Sequence, residues 1–188
     1  MPARPFAPFA FALSAALLSL AVPATAGEIT RDRAAAVDVA AASRIAPDLV
    51  GLGRWFNSEP LSMRDLRGKV VLVNFWTYGC VNCVHTLPHV TDLYAKYKDR
   101  GFVVVGIHTP EFPFERSASN VQAALKRHGI TYPVAQDNES STWNAYDNRY
   151  WPAQYIIDRD GKLIYQHAGE GQYDEMDRIV ANLLRANS

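Results

Sequence analysis

The sequence predicts an α/β fold in which a central mixed β-sheet is flanked by helices. Three observations carry that expectation. From Val70 onward, short apolar runs alternate with amphipathic stretches, a pattern that pairs strands in parallel through helical crossovers. Near the carboxyl end, Asp158-Arg159-Asp160-Gly161 separates two apolar runs as a tight turn does, which adds an antiparallel hairpin. Beyond it, Met176, Ile179, Val180, Leu183 and Leu184 recur at helical steps, so a helix closes the domain.

The elements follow in chain order. Residues 1–26 read as an export signal, with Arg4 ahead of an apolar stretch from Phe9 to Val22 and Ala24-Thr25-Ala26 as the cleavage site. The stretch is short for a bilayer span, so an uncleaved anchor is the second reading. No cysteine lies near the cleavage site, which excludes a lipid anchor there. Residues 27–46 are Ala-rich and read as a linker; residues 47–188 read as one domain. Leu49 to Met63 places two short segments around Asn57-Ser58, expected as an N-terminal hairpin.

Val70–Trp76 is an apolar run of the kind that forms a strand buried on both faces. A helix then runs from the cysteine pair to about Asp99, burying Val84, Leu87, Val90, Tyr94 and Tyr97, with Pro88 inside it and Gly101 as its stop. Phe102–Ile107 is a second buried strand. Pro110 to Phe114 forms a loop, Ser117–His128 a helix, Tyr132–Ala135 a short strand and Ser140–Asp147 a short helix. Ala153–Ile157 and Lys162–His167 make the closing hairpin.

Composition narrows the function. The chain carries 19 basic and 19 acidic residues, so no net field draws it to nucleic acid or to an anionic membrane. No Gly-rich phosphate loop is present, and no cofactor is implied. The chemistry rests on Cys80 and Cys83, the two cysteines of the chain, spaced CxxC directly after a strand. A helix beginning at Cys80 points free N–H groups and its positive dipole end at that sulfur, and Cys83 lies one turn further, within disulfide reach. That arrangement marks a thioredoxin-like redox site. A purely structural bridge closing so small a loop would constrain the unfolded chain only weakly.

The residues resemble a known family. Lys69-Val70-Val71-Leu72-Val73-Asn74-Phe75-Trp76 followed by CxxC is similar to the exported thioredoxin-like proteins of the TlpA/ResA type. Gly106-Ile107-His108-Thr109-Pro110-Glu111-Phe112 and Tyr150-Trp151-Pro152-Ala153 most resemble the periplasmic domain of DipZ-type proteins. The resemblance implies a thioredoxin-like fold with a central helical insertion over Pro110–Thr131. It also implies that Pro88 kinks the active-site helix and that Trp151-Pro152 is a cis-proline loop lying against the active-site cysteine. In such a site Pro152 offers backbone groups to a substrate peptide, with Trp76 and Trp151 as flanking walls; for Trp76, core packing at a strand end is an equal alternative. Two family acids are missing: Asn74 stands where thioredoxin has a buried Asp, and Thr86 where ResA-like members have Glu. Glu111, which follows the Phe102–Ile107 strand, is the candidate substitute as proton acceptor for Cys83; the plainer reading is a solvated loop carboxylate.

The expected activity is thiol–disulfide exchange, with Cys80 attacking and Cys83 resolving. The family implies a reductant that draws electrons from a membrane thiol donor and acts on disulfide-containing proteins of the apocytochrome or copper-site maturation type; the export signal implies the periplasm, and with no second apolar stripe a monomer is the default. Two alternatives stay open: a thiol peroxidase, suggested by Thr77-x-x-Cys80, and a copper chaperone using the cysteines with His85. His85 and His89 stand at metal-binding spacing but on the polar helix face, so a solvated pair is the expectation and no metal site is assigned.

Overall fold

A computed structural model describes residues 44–186. The expected signal (1–26) and most of the expected linker (27–46) lie outside the described residues. The folded unit begins earlier than Pro47, because Ile45 forms an antiparallel bridge with Lys162 and the buried Ala46 donates its N–H to the Gly161 carbonyl at 2.9 Å.

In order, the elements are β1 (Trp55–Phe56), β2 (Val70–Trp76), α1 (Val81–Tyr97), β3 (Phe102–His108), α2 (Ala118–Arg127), β4 (Val134–Gln136), α3 (Ser141–Ala145), β5 (Ala153–Ile157), β6 (Leu163–Ala168) and α4 (Tyr173–Arg185), with 3-10 turns at Lys98–Arg100 and Pro113–Arg116. The strands form one sheet in the order β1-β4-β3-β2-β5-β6. β2 pairs in parallel with β3, and β3 with β4; β5, β6 and β1 join antiparallel. This is the mixed sheet that the alternation and the Asp-Arg-Asp-Gly turn require.

All seven residues of the central strand β2 are buried, as a strand covered on both faces demands. Leu72 and Trp76 face one core with Leu87 and Val90 of α1, Val121 and Leu125 of α2, and Met176, Val180 and Leu184 of α4. Val71, Val73 and Phe75 face the other, with Ile107, Tyr146, Ile157 and the incoming segment at Met63 and Leu66. Each such aliphatic side chain contributes about 1.5–3 kcal/mol on burial. In α1 the buried stripe falls on Cys83, Thr86, Leu87, Val90, Leu93 and Tyr97, while Val84 and Tyr94 are only partly covered, a rotation of the face by about one residue from the expected stripe.

The expected N-terminal hairpin does not form. Asn57 takes a left-handed φ of 63°, and its side-chain amide donates to the Ile130 and Tyr132 carbonyls at 3.1 and 2.9 Å. Trp55–Phe56 therefore pairs with β4 instead of with its own neighbour. Register then fixes the reactive end of the sheet. Trp76 lies beside His108, and Phe75 beside Ala153, so the CxxC loop, the end of β3 and the Trp151-Pro152 turn share one edge.

Candidate active site

Cys80 caps α1: its backbone is extended, and its sulfur accepts the N–H of Cys83 at 3.3 Å. The first turn carries no acidic residue, so the positive end of the helix dipole meets that sulfur unopposed. Cys80 is half-buried, Cys83 fully buried, and both thiols are free. The pair thus divides into a sulfur that a substrate can reach and one that it cannot. Burial pushes the Cys83 thiol far up; its hydrogen bond with Cys80 and the negative charge of Glu115 add to the rise, and the Thr77 backbone opposes it.

Glu115 is the residue that sequence reasoning missed. Its carboxylate is wholly buried, an expensive state unless every lone pair is used. One oxygen accepts the Gly79 N–H at 2.9 Å; the other accepts those of Glu111 at 2.7 Å and Phe112 at 2.9 Å. Of the two readings of Glu111, its exposure fits the solvated loop carboxylate, and the buried acid of this loop is four residues further on. Glu111 itself sends its side chain to the surface and lends only its backbone. The signal present in the chain was Pro113 at the first position of a helical turn with an acid at the third, a capping pattern.

Trp76 takes the second of its two expected roles, core packing at a strand end, and not that of a substrate wall. Its ring is fully buried and packs edge-on to His108 at 5.2 Å, so it cannot wall a substrate groove. Gly106 makes the room: a Cβ there would stand 3.2 Å from Trp76 Nε1, 3.1 Å from Tyr132 and 3.0 Å from Val134. Trp151 remains at the surface edge. Its Nε1 donates to the Thr109 carbonyl at 3.0 Å, and its ring lies 4.1 Å from Trp143. Trp143 is itself held by its N–H to the buried Asp137 carboxylate at 2.8 Å. The Trp151-Pro152 peptide bond is cis. The two family acid positions are inert: Asn74 accepts from Gln154 at 3.3 Å, and the Thr86 hydroxyl donates to the Asn82 carbonyl at 2.9 Å.

His108 is buried against Tyr78 and Trp76, with Nε2 3.3 Å from the Thr77 hydroxyl. Burial lowers its pKa from 6.5 to about 4, although Glu115 pulls the other way. Between those values the unfolded chain binds the proton and the native chain does not. Stability is therefore full above pH 6.5 and falls as pH drops, by about 1.4 kcal/mol per unit and about 3 kcal/mol by pH 4. Urea unfolding at pH 7 and pH 4 checks this: His108→Gln is expected to lack that share of the acid loss, and an equal loss in both proteins would refute it.

The histidines of α1 separate. His85 lies 3.4 Å from Glu170, and the His89 ring stacks on Tyr173 at 3.7 Å. Among the described residues, no group of three or more His, Cys, Asp and Glu converges as a metal site.

A reachable helix-capping cysteine over a buried partner, beside a cis-proline turn on a mixed sheet, defines a thiol-disulfide oxidoreductase of thioredoxin-like fold. The chain belongs to the Redoxin family, whose model matches residues 43–184. It is 46% identical over 142 residues to Protein DipZ of Mycobacterium tuberculosis, a match that covers 74% of this chain but only 20% of that protein. The chain thus spans about a fifth of the length of the DipZ relatives. Thiol-disulfide oxidoreductase YkuV of Bacillus subtilis is 28% identical, over 73% of this chain and 93% of its own. Among solved structures, a thiol-disulfide isomerase from Corynebacterium glutamicum superposes with a TM-score of 0.69 at 25% identity, covering 77% of this chain and 98% of that one.

Proposed function

We propose that this oxidoreductase works as an exported reductant of protein disulfides, with Cys80 as nucleophile and Cys83 as resolving thiol. Cys80 thiolate attacks one sulfur of the substrate disulfide, forming a mixed disulfide and expelling the other sulfur as a thiolate that takes up a proton. Glu115, in place of Glu111, then accepts the Cys83 proton. The freed Cys83 thiolate attacks the Cys80 sulfur, closing the Cys80–Cys83 disulfide and releasing the reduced substrate. Two electrons pass to the substrate, and an external dithiol restores the pair. Trp151 and Pro152 border Cys80 on the substrate side.

The observation that carries the reducing direction is the charge around Cys83. Among the described residues, the ionisable groups that act on it are Cys80 and the carboxylate of Glu115, and neither is cationic. A dithiol becomes a strong oxidant when its reduced form is stabilised, and a neighbouring carboxylate withholds that stabilisation from the thiolate. Residues 1–26 support export to the periplasm, and a membrane thiol donor there would resupply electrons; the apocytochrome or copper-site maturation type of substrate fits that compartment. Equilibration against a dithiol buffer is expected to give a potential near thioredoxin's, about −270 mV. A value near −120 mV would make the protein a disulfide donor and reverse the assignment.

A further inference from the structure

The described residues expose six large hydrophobic side chains, and four of them, Val81, Phe112, Phe114 and Tyr150, belong to the loops and helix start at the reactive end of the sheet. Phe112 and Phe114 are 47% and 59% exposed and stacked, with ring centres 5.7 Å apart and planes 3° from parallel. Rings left in water on a mobile tip would mean little. These sit on a fixed frame: the carboxylate of Glu115, beside them in sequence, is wholly buried on three backbone N–H groups. The Phe114 carbonyl accepts both the Tyr78 hydroxyl at 2.9 Å and the Asn120 amide at 3.3 Å.

The frame ties the rings to the reactive sulfur. A Cβ on Gly79, the residue before Cys80, would lie 3.8 Å from the tip of the Phe114 ring, and the Tyr78 ring lies 6.2 Å from it. A disulfide that reaches Cys80 therefore meets a surface bordered by the Phe114 ring, with the Phe112 ring beside it. Thiol–disulfide exchange already requires a polypeptide at that place, so the ring pair is continuous with a surface that the reaction covers. An aromatic pair held rigid in advance loses little freedom on binding, and apolar contact there returns the free energy of its exposure.

We infer that the Phe112–Phe114 pair is a docking platform for substrate polypeptides that are unfolded around the disulfide and carry an apolar side chain beside the reacting cysteine. This rests on the reductase reading and adds a substrate class to it: exposed apolar segments, as in an unassembled protein, in preference to a polar disulfide loop on a finished surface. Val81 and Tyr150 extend the apolar rim on the helix-start and cis-proline sides.

The test uses two peptides of equal length and charge, each joined through one cysteine to cysteamine, with leucines flanking the cysteine in one and serines in the other. Release of peptide thiol is followed by chromatography, and each protein is also assayed on hydroxyethyl disulfide. Wild type is expected to favour the leucine peptide about tenfold in kcat/KM, mainly through KM, the discrimination that partial burial of one apolar side chain supplies. The double variant Phe112→Ser/Phe114→Ser is expected to bring that ratio close to one, and Phe112→Leu/Phe114→Leu to keep most of it. A ratio near one in wild type, or a preference that survives the serine variant, overturns the platform. Sedimentation showing that the serine variant splits a wild-type dimer would assign the rings to self-association and overturn it too. If wild type fails to reduce hydroxyethyl disulfide, the reductase reading falls first and takes the platform with it.

Discussion

Replacing Cys80 with serine is expected to lower protein-disulfide reduction by more than about 10³-fold, whereas Cys83→Ser converts the protein into a trap. The asymmetry follows from burial. Cys80 caps α1 half-exposed and is the sulfur a substrate can touch; Cys83 is closed off beneath it. Without Cys80 the first bond cannot form, because a substrate disulfide does not reach the Cys83 sulfur. Without Cys83 the first bond forms and cannot be broken from inside, so a covalent complex accumulates. Mass spectrometry of the quenched reaction reads both outcomes: no adduct for Cys80→Ser and a stoichiometric adduct for Cys83→Ser. The opposite pattern, an adduct on Cys83 in the Cys80→Ser protein, would show that the buried cysteine is the attacking one.

The placement of these two residues could be read from spacing alone, because strand, CxxC and helix are consecutive and each is encoded locally. The closing hairpin and α4 were legible for the same reason: a tight turn and a 3.6-residue period are properties of contiguous residues. What could not be read depends on partners far away in the chain. Asn57 looks like the tip of a hairpin until its amide is seen to be spent on carbonyls more than seventy residues later. Trp76 reads equally as a substrate wall or as core packing until the fold is seen, where the missing side chain of Gly106 opens space for its indole in the core. Glu111 and Glu115 stand in one short loop, and the capping pattern of Pro113 and Glu115 is the one local clue to which is buried. The backbone decides, by folding three N–H groups around one of them.

Glu115→Gln is expected to prolong the mixed-disulfide intermediate about 10²-fold at pH 7, the usual loss when a general base is removed. Two effects of the substitution oppose each other, which makes the result decisive. The Glu115 charge helps to hold the Cys83 thiol up, so removing that charge favours ionisation and, acting alone, would speed resolution. Removing the carboxylate also removes the group that takes the proton, which slows resolution. With hydroxide left as the base, the resolving rate should climb about tenfold per pH unit between pH 6 and 8, where wild type is flatter. Stopped-flow measurement of both steps keeps the chemistry separate from any loss of stability, since attack by Cys80 does not use this carboxylate. Glu111→Gln should match wild type in both steps. Gly79→Ala approaches the same carboxylate from the other side: the new Cβ collides with Glu115 Oε1 and must displace it, while the charge stays. Slower resolution in both Glu115→Gln and Gly79→Ala would identify the positioned oxygen, not the net charge, as what Cys83 needs. Faster resolution in Glu115→Gln would reduce Glu115 to a latch between the insertion and the CxxC loop.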